Sequence, residues 1–245
     1  MSLACPSLTI DAVTLHRRGV PVLSGLTLPV FGPGLVAWVG ANGVGKSTLL
    51  AAVGGQLPVS SGRILLDGES ISERKDDLRW SVSSMVAPEA LPPLLCPLDY
   101  WQIVGWARGS SRWWEDAESQ ATRLGCWADR RRPIGMLSLG QRMKVAIIGA
   151  LLGDAPVVLM DEPLNGLDVS ARIALRELLQ AHAKEKLVIV VVHSLDFAVR
   201  QTSQCVAFDG ASRVLAFQGT PPDAETTLAR EAALEAFIRS GVQHR

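Results

Sequence analysis

Apolar positions along the chain follow two rhythms. The runs Leu35–Val39, Val157–Met160 and Leu187–Val192 are apolar almost throughout, which predicts strands buried on both faces. Between them lie stretches with helical spacing. Ser47–Val53 predicts a helix directly after the first run. Met143, Ala146, Ile147, Ala150 and Leu151 share one face of a second helix, opened by Leu137–Gln141, and Val169–Ala183 predicts a third. Strands alternating with helices predict an α/β fold with a mostly parallel sheet covered by helices. Nearer the N-terminus, Thr9–Leu15, Leu26–Val30 and Arg63–Leu66 predict further strands, with Asp67-Gly68 as a turn signal. Pro88, Pro92, Pro93 and Pro97 mark an irregular connection. Residues 99–130 then read as helical and hold Trp101, Trp106, Trp113, Trp114 and Trp127. They interrupt the alternation as a helical insertion.

Composition narrows the function classes. A chain of 245 residues with 48 % hydrophobic content suits one large domain, or a domain with a subdomain, around a sizeable core. Basic and acidic residues are balanced at 24 each, so a nucleic-acid partner, which calls for a basic excess, is not expected. Arg130-Arg131-Arg132 is the one basic run; it is either a solvated loop or a phosphate or headgroup contact. Val145–Gly153 and Leu187–Val192 fall far short of the roughly 20 apolar residues of a bilayer span, and the N-terminus lacks a signal-peptide pattern. Cys5, Cys96, Cys126 and Cys205 are scattered without a CxxC pair, as in reduced thiols. These features predict a cytoplasmic protein with no membrane span of its own.

The chemistry begins at Gly40-Ala41-Asn42-Gly43-Val44-Gly45-Lys46-Ser47-Thr48, a complete GxxxxGK[ST] phosphate loop between a predicted strand and a predicted helix. Its glycines let successive N–H groups wrap phosphates, and the helix start adds partial positive charge. Lys46 would reach the β- and γ-phosphates, and the Ser47 hydroxyl would hold Mg2+. The run Val157–Met160 ends in Asp161-Glu162: one carboxylate suits the metal and the other the attacking water. His193 follows the run Leu187–Val192, at the strand end that faces a ligand crevice in a parallel sheet. Ser138 and Gln141 satisfy a capping-box pattern, but a capped helix start beside Gly140 is also an anion site. The residues alone leave that choice open.

Taken in order, these motifs resemble those of the ATP-binding subunit of an ABC transporter: the phosphate loop Gly40–Ser47, the signature Leu137–Gln141, the acidic pair Asp161-Glu162, the turn Pro163–Asp168 and the switch His193. The resemblance covers almost the whole chain. It implies a phosphate-loop nucleotidase core with an antiparallel β subdomain (residues 1–98 and 136–223), a helical subdomain (99–135) and a C-terminal helical segment (224–245). It implies ATP and Mg2+ as cofactors and a separate transmembrane permease as partner, placing the chain on the inner face of the membrane. Two such subunits, identical or related, would pair head to tail. Each ATP would lie between one phosphate loop and the other subunit's Ser138, Gly140 and Gln141. Glu162 would polarise the attacking water, His193 would contact the γ-phosphate, and Asp168 would link the two sites.

Several positions depart from the family pattern. An aromatic ring usually stacks on adenine, yet His16–Arg18 offers none; Arg18, with its planar guanidinium, is the candidate. The family's metal-contacting glutamine should fall near Val86–Ala90, where Glu89 stands instead. Leu139 replaces the usual first glycine of the signature. The Leu137–Gly140 form, the Asn165–Asp168 turn and the terminal Leu234–Phe237 segment are more similar to ABC-2 exporters than to importers, so export is expected, with an importer or a non-transport ABC ATPase as alternatives. A GTPase is disfavoured because Asn165-Gly166-Leu167-Asp168 lacks the lysine of a guanine-reading motif. The tryptophans would serve either as core or as the groove that receives a permease helix.

Overall fold

The computed structural model describes residues 6–72, 81–210, 212–219 and 223–242. Two sheets form the frame. The first is antiparallel, in the order β2-β1-β4-β5, from β1 (Leu8–Arg17), β2 (Val20–Phe31), β4 (Ser61–Leu66) and β5 (Glu69–Ser70). The second has the order β10-β9-β3-β8-β7-β6, from β3 (Gly34–Gly40), β6 (Val82–Ser84), β7 (Val157–Asp161), β8 (Leu187–Val191), β9 (Gln204–Phe208) and β10 (Val214–Gln218). Every pairing in it is parallel except that of β10. The expected α/β architecture with an antiparallel β subdomain and a mostly parallel core is therefore present.

Period-two alternation assigns each strand face to a core. In β3, Leu35, Ala37 and Val39 face the helices, while Val36 and Trp38 face the antiparallel sheet. β7 and β8 divide in the same way, so their runs are apolar throughout because both faces are covered. Trp38 is fully buried between Phe31 and Phe208, its ring centroid 6.4 Å and 5.7 Å from theirs. The helix α1 (Lys46–Val53) leaves the phosphate loop and packs in the same layer.

Between β6 and β7 lie α2 (Pro97–Ala107), α3 (Trp113–Arg123) and α4 (Leu139–Leu151). The five shared-face residues of α4 are all buried. The tryptophans differ in burial. Trp101 is fully buried and stacks on Trp127, with planes within 6°, whereas Trp106 is 64 % exposed beside the exposed Ile103. Two arginines of the basic run are tied to their own chain, and Arg131 is exposed. The Arg130 guanidinium sits 4.7 Å over the Trp127 ring, and Arg132 pairs with Asp129 at 3.2 Å.

After β7 come α5 (Val169–His182), α6 (Leu195–Gln201) and the terminal α7 (Ala224–Val242). Leu234 of α7 is fully buried in the main core. Strands β6, β9 and β10 extend the sheet beyond what the apolar pattern predicts. Cys96, Cys126 and Cys205 are unpaired, and Cys5 lies outside the described residues. Trp80 does too. Among the described residues no helix is long and apolar enough to cross a membrane.

Candidate active site

Strand register brings the motifs together. Val191 of β8 is level with Trp38 on one side and Asp161 on the other. The C-terminal ends of three adjacent strands therefore finish on one line. The phosphate loop leaves β3 there, Asp161 closes β7, and His193 stands two residues beyond β8. This edge is where parallel sheets place ligands.

The phosphate loop is shaped by what a side chain would prevent. Gly45 has φ +102°, and a Cβ there would come within 2.9 Å of Leu23 on β2. Glycine thus permits both the backbone turn and close packing of the β1–β2 hairpin on the loop. No side chain caps the start of α1, so its first N–H groups stay available for an anion. Asn42, Gly43, Gly45, Ser47 and Thr48 line a cleft of about 360 Å³ with Lys46, Asp161, Glu162 and His193. Lys46 is 6 % exposed and its Nζ donates to the carbonyls of Gly40 (2.8 Å) and Ala41 (2.9 Å). Burial lowers its pKa, against the opposing pull of Glu162 and Asp161.

Glu162 holds a backbone conformation unusual for its type, with φ +51°, at a cost of about 1–3 kcal/mol. Its N–H donates to Val191 (3.0 Å) and its carbonyl accepts from Asn165 N–H (3.1 Å), fixing the bend. His193 Nε2 lies 3.0 Å from Glu162 Oε1, and Asn165 Nδ2 donates to Oε2 at 3.4 Å. Burial, then the neighbouring Asp161 charge, push Glu162 up to about 7, partly offset by Lys46 and Asn165. Burial and the Lys46 charge lower His193. The same surroundings thus favour the neutral imidazole and the neutral carboxyl over their charged forms.

Asp161 Oδ1 is buried and has no hydrogen-bond partner among the described residues. A hard cation would supply what that oxygen lacks, so the donor set of Asp161 and the Ser47 hydroxyl fits Mg2+. Glu89 lines an adjoining cleft of about 680 Å³ together with Ser47, Asp161 and Glu162. Among the described residues no cluster of three His, Cys, Asp or Glu side chains is close enough to hold a metal, so Glu89 shares the cleft without completing a carboxylate cage.

The signature segment forms the capping box its sequence predicts. Ser138 Oγ accepts from Gln141 N–H at 3.2 Å, and Gln141 Oε1 accepts from Ser138 N–H at 2.9 Å. Gln141 Nε2 also donates to Asp129 at 2.6 Å. Gly140 lies against the Pro163–Asp168 turn: a Cβ there would stand 2.6 Å from the Gly166 carbonyl. Asp168 caps α5, accepting from Ser170 Oγ (2.6 Å) and Ala171 N–H (2.8 Å), and pairs with Lys144 at 3.2 Å. These bonds, the Ser170 hydroxyl first, hold its carboxyl well below the usual range. Signature and turn are thereby joined within one chain.

Arg18 does not line either cleft. Arg18 and Gly19, with φ of 52° and 80°, form the tight turn of the β1–β2 hairpin, the geometry of a type I′ loop. Its neighbour Arg17, at the end of β1, lines both clefts. The sequence signal that could have found it is the Arg18-Gly19 pair itself, which marks the turn and leaves Arg17 as the last strand residue.

A parallel sheet whose strand ends gather a phosphate loop, a carboxylate pair and a histidine defines a phosphate-loop nucleotide hydrolase. Comparison with known proteins gives the family. The ABC transporter family profile matches residues 23–165. The chain is 32 % identical to the hemin import ATP-binding protein HmuV of Streptomyces coelicolor, over 85 % of this chain and 75 % of that one. It is also 32 % identical to the aliphatic sulfonates import ATP-binding protein SsuB of Pectobacterium atrosepticum, over 82 % of this chain and 74 % of that one. A solved ATP-binding subunit of an ABC transporter superposes with a TM-score of 0.81 at 23 % identity, covering 96 % of this chain and 99 % of that one; this likeness concerns the fold. The chain belongs to the ABC transporter family, as an ATP-binding and ATP-hydrolysing subunit.

Proposed function

We propose that this subunit powers a separate transmembrane permease through ATP-driven closure of a head-to-tail dimer, on the cytoplasmic face of the membrane. The observation that carries the reading is the convergence of Lys46, Asp161, Glu162 and His193 at one line of strand ends. Gly40, Asn42, Gly43, Gly45, Lys46, Ser47 and Thr48 would bind the phosphates. Ser47 and Asp161 would hold Mg2+, with Glu89 on the same wall; when bound, the ion neutralises charge on the phosphate oxygens. Glu162 takes a proton from the attacking water, which His193 and Asn165 keep oriented. Ser138, Gly140 and Gln141 would meet the γ-phosphate held by the other subunit, identical or related, and Asp168 would carry the position of one site to the other. The γ-phosphate favours the closed state only by the contacts it gains there.

Uptake, not export, is the direction supported by the relatives, since two that align over most of their length are named for import. The short motifs that suggested export are tied to local structure: Leu137–Gly140 to a cap, Asn165–Asp168 to a turn and a second cap. The test is capture of the partner. Glu162→Gln protein held with ATP in native membranes is expected to co-purify a polytopic membrane protein, with a solute-binding protein appearing alongside on addition of the correct solute. A permease that never recruits such a protein and moves solute outward would restore export. Recovery of ribosomes or DNA in place of any membrane protein would refute the transport reading.

Gly140→Ala tests the signature. Its Cβ must displace the Gly166 carbonyl from 2.6 Å to an ordinary contact, moving the turn that carries Asp168. Turnover is expected to fall about tenfold, a loss of about 1.4 kcal/mol, with unchanged nucleotide affinity of the isolated subunit. Steady-state ATPase assays beside equilibrium nucleotide titration separate the two.

A further inference from the structure

We propose that Asp129, which lies outside every motif described above, is a positioning residue for the signature: its carboxylate fixes the Gln141 amide and, through it, the Ser138 hydroxyl. This rests on the reading above that the signature faces the γ-phosphate held by the other subunit. Asp129 ends a single helical turn, Trp127–Asp129, between α3 and α4. Its two carboxylate oxygens have different partners. Oδ2 accepts from Gln141 Nε2 at 2.6 Å, and Oδ1 pairs with Arg132 Nη1 at 3.2 Å. Arg132 Nη2 donates in turn to the carbonyl of Met136, just ahead of the signature, at 3.2 Å. The turn is itself held in place. Asp129 N–H donates to the Cys126 carbonyl (3.1 Å), and Arg130 Nη1 donates to the Trp127 carbonyl (3.0 Å). Asp129, Gln141, Ser138, Met136 and Arg132 therefore close a ring around the start of α4.

The chemistry of an amide shows what the carboxylate adds. A glutamine side chain has an acceptor end and a donor end of nearly equal shape. The capping box needs the acceptor end toward Ser138 N–H, where Oε1 sits at 2.9 Å. Turned over, the amide would aim its NH2 group at another N–H. A carboxylate only accepts, so Asp129 admits only the donor end, and the bond it makes is charge-assisted. A cap that served α4 alone would need only the Ser138–Gln141 pair; the third partner selects between two orientations of the amide. With that orientation fixed, Ser138 Oγ accepts from Gln141 N–H at 3.2 Å. The hydroxyl proton is in no bond among the described residues, so it is left to donate to a phosphate oxygen.

The experiment is Asp129→Asn in the full chain, alone and combined with Gln141→Ala. Asparagine keeps the shape but carries both a donor and an acceptor. Its oxygen turns to Arg132, and its NH2 group then favours the wrong face of Gln141. The expected result is a fall in kcat of about tenfold, inside the roughly hundredfold that a misplacement of about 1 Å can cost. Nucleotide affinity of the isolated subunit should stay within about twofold of the parent, a split that marks loss of an interaction made only in turnover. In the Gln141→Ala background the same substitution should cost nothing further, because its effect passes through that amide. The Gln141 side-chain NH2 resonances of isotope-labelled protein, assigned by their absence from Gln141→Ala, should move toward those of a free amide in Asp129→Asn. An unchanged kcat in Asp129→Asn, beside a loss in Gly140→Ala, would overturn the inference and spare the signature reading. So would a defect that persists undiminished without Gln141, or one that takes nucleotide affinity and melting temperature down together with turnover. If Gly140→Ala, Gln141→Ala and Asp129→Asn all hydrolyse ATP as the parent does, the signature reading and this inference fall together.

Discussion

Glu162→Gln is expected to lower ATP turnover by a hundredfold or more, while nucleotide binding persists and the ATP-bound dimer becomes long-lived. Removing a positioned general base removes about two to four orders of magnitude. Glutamine has nearly the volume of glutamate and can still accept from Asn165 and meet His193, so the site keeps its shape. What is lost is the carboxylate's charge and its capacity to accept a proton. Single-turnover hydrolysis beside size-exclusion chromatography with ATP checks both halves. Turnover within threefold of the parent would remove Glu162 from the mechanism.

The pH dependence has a definite sign. Glu162 works as a base only when ionised, and burial beside Asp161 holds it near 7. In the free enzyme kcat/KM should therefore rise with pH through about 7, and this limb should vanish in Glu162→Gln. Stability runs the opposite way. A carboxyl whose folded pKa lies above its unfolded one binds more protons when folded. Its contribution is full at low pH and is lost as pH rises from about 4.5 toward 7 and beyond. The neutral amide escapes that loss, so Glu162→Gln should melt higher than the parent at pH 8 and equally at pH 4, by up to about 3 kcal/mol. Activity and stability are opposed at one side chain, as expected of a site held in an unfavourable environment.

What the sequence makes legible follows from how local each signal is. The phosphate loop, the strand-end carboxylates and the Ser138–Gln141 box are contiguous motifs, and the structure forms each where its residues predict. The central strands are legible because burial on both faces leaves them apolar throughout. β9 escapes notice because Gln204–Phe208 is short and opens on a polar residue, and its place beside β3 is a long-range pairing. The Arg18 assignment misses the cleft wall for a reason of register. A strand reverses its faces at every residue, so the cleft receives Arg17 while Arg18 is drawn into the turn. The contact between Gly140 and Gly166 has no sequence signal, since it joins the start of α4 to a turn well beyond it in the chain. That contact, with the Lys144–Asp168 pair, ties the signature to the turn.

Lys46→Ala is expected to weaken ATP affinity about a hundredfold, or about 2.7 kcal/mol, and to abolish measurable turnover. Two contributions of opposite sign set that loss. The ammonium supplies charge-assisted hydrogen bonds to phosphate, each worth about 1.5–3 kcal/mol. Its loss also leaves the Gly40 and Ala41 carbonyls, which it holds at 2.8 and 2.9 Å, without their donor. In the empty subunit these bonds keep Lys46 folded onto its own loop, so ATP must replace them with phosphate oxygens, and the net gain is smaller than the gross one. A third effect can be measured separately. Lys46 is the main positive charge opposing the upward shift of Glu162. Without it Glu162 should titrate higher still, and His193, freed of a repelling cation, should also move up. Carboxyl-labelled NMR on Lys46→Ala and Lys46→Arg would show this. The arginine variant keeps the charge and should leave both groups close to their parent values while still failing to bind ATP normally, because a planar fork cannot fill the place of a point charge. Unchanged titration of Glu162 in Lys46→Ala would mean that burial and the Asp161 charge set its pKa, and that the lysine serves the phosphates without tuning the base.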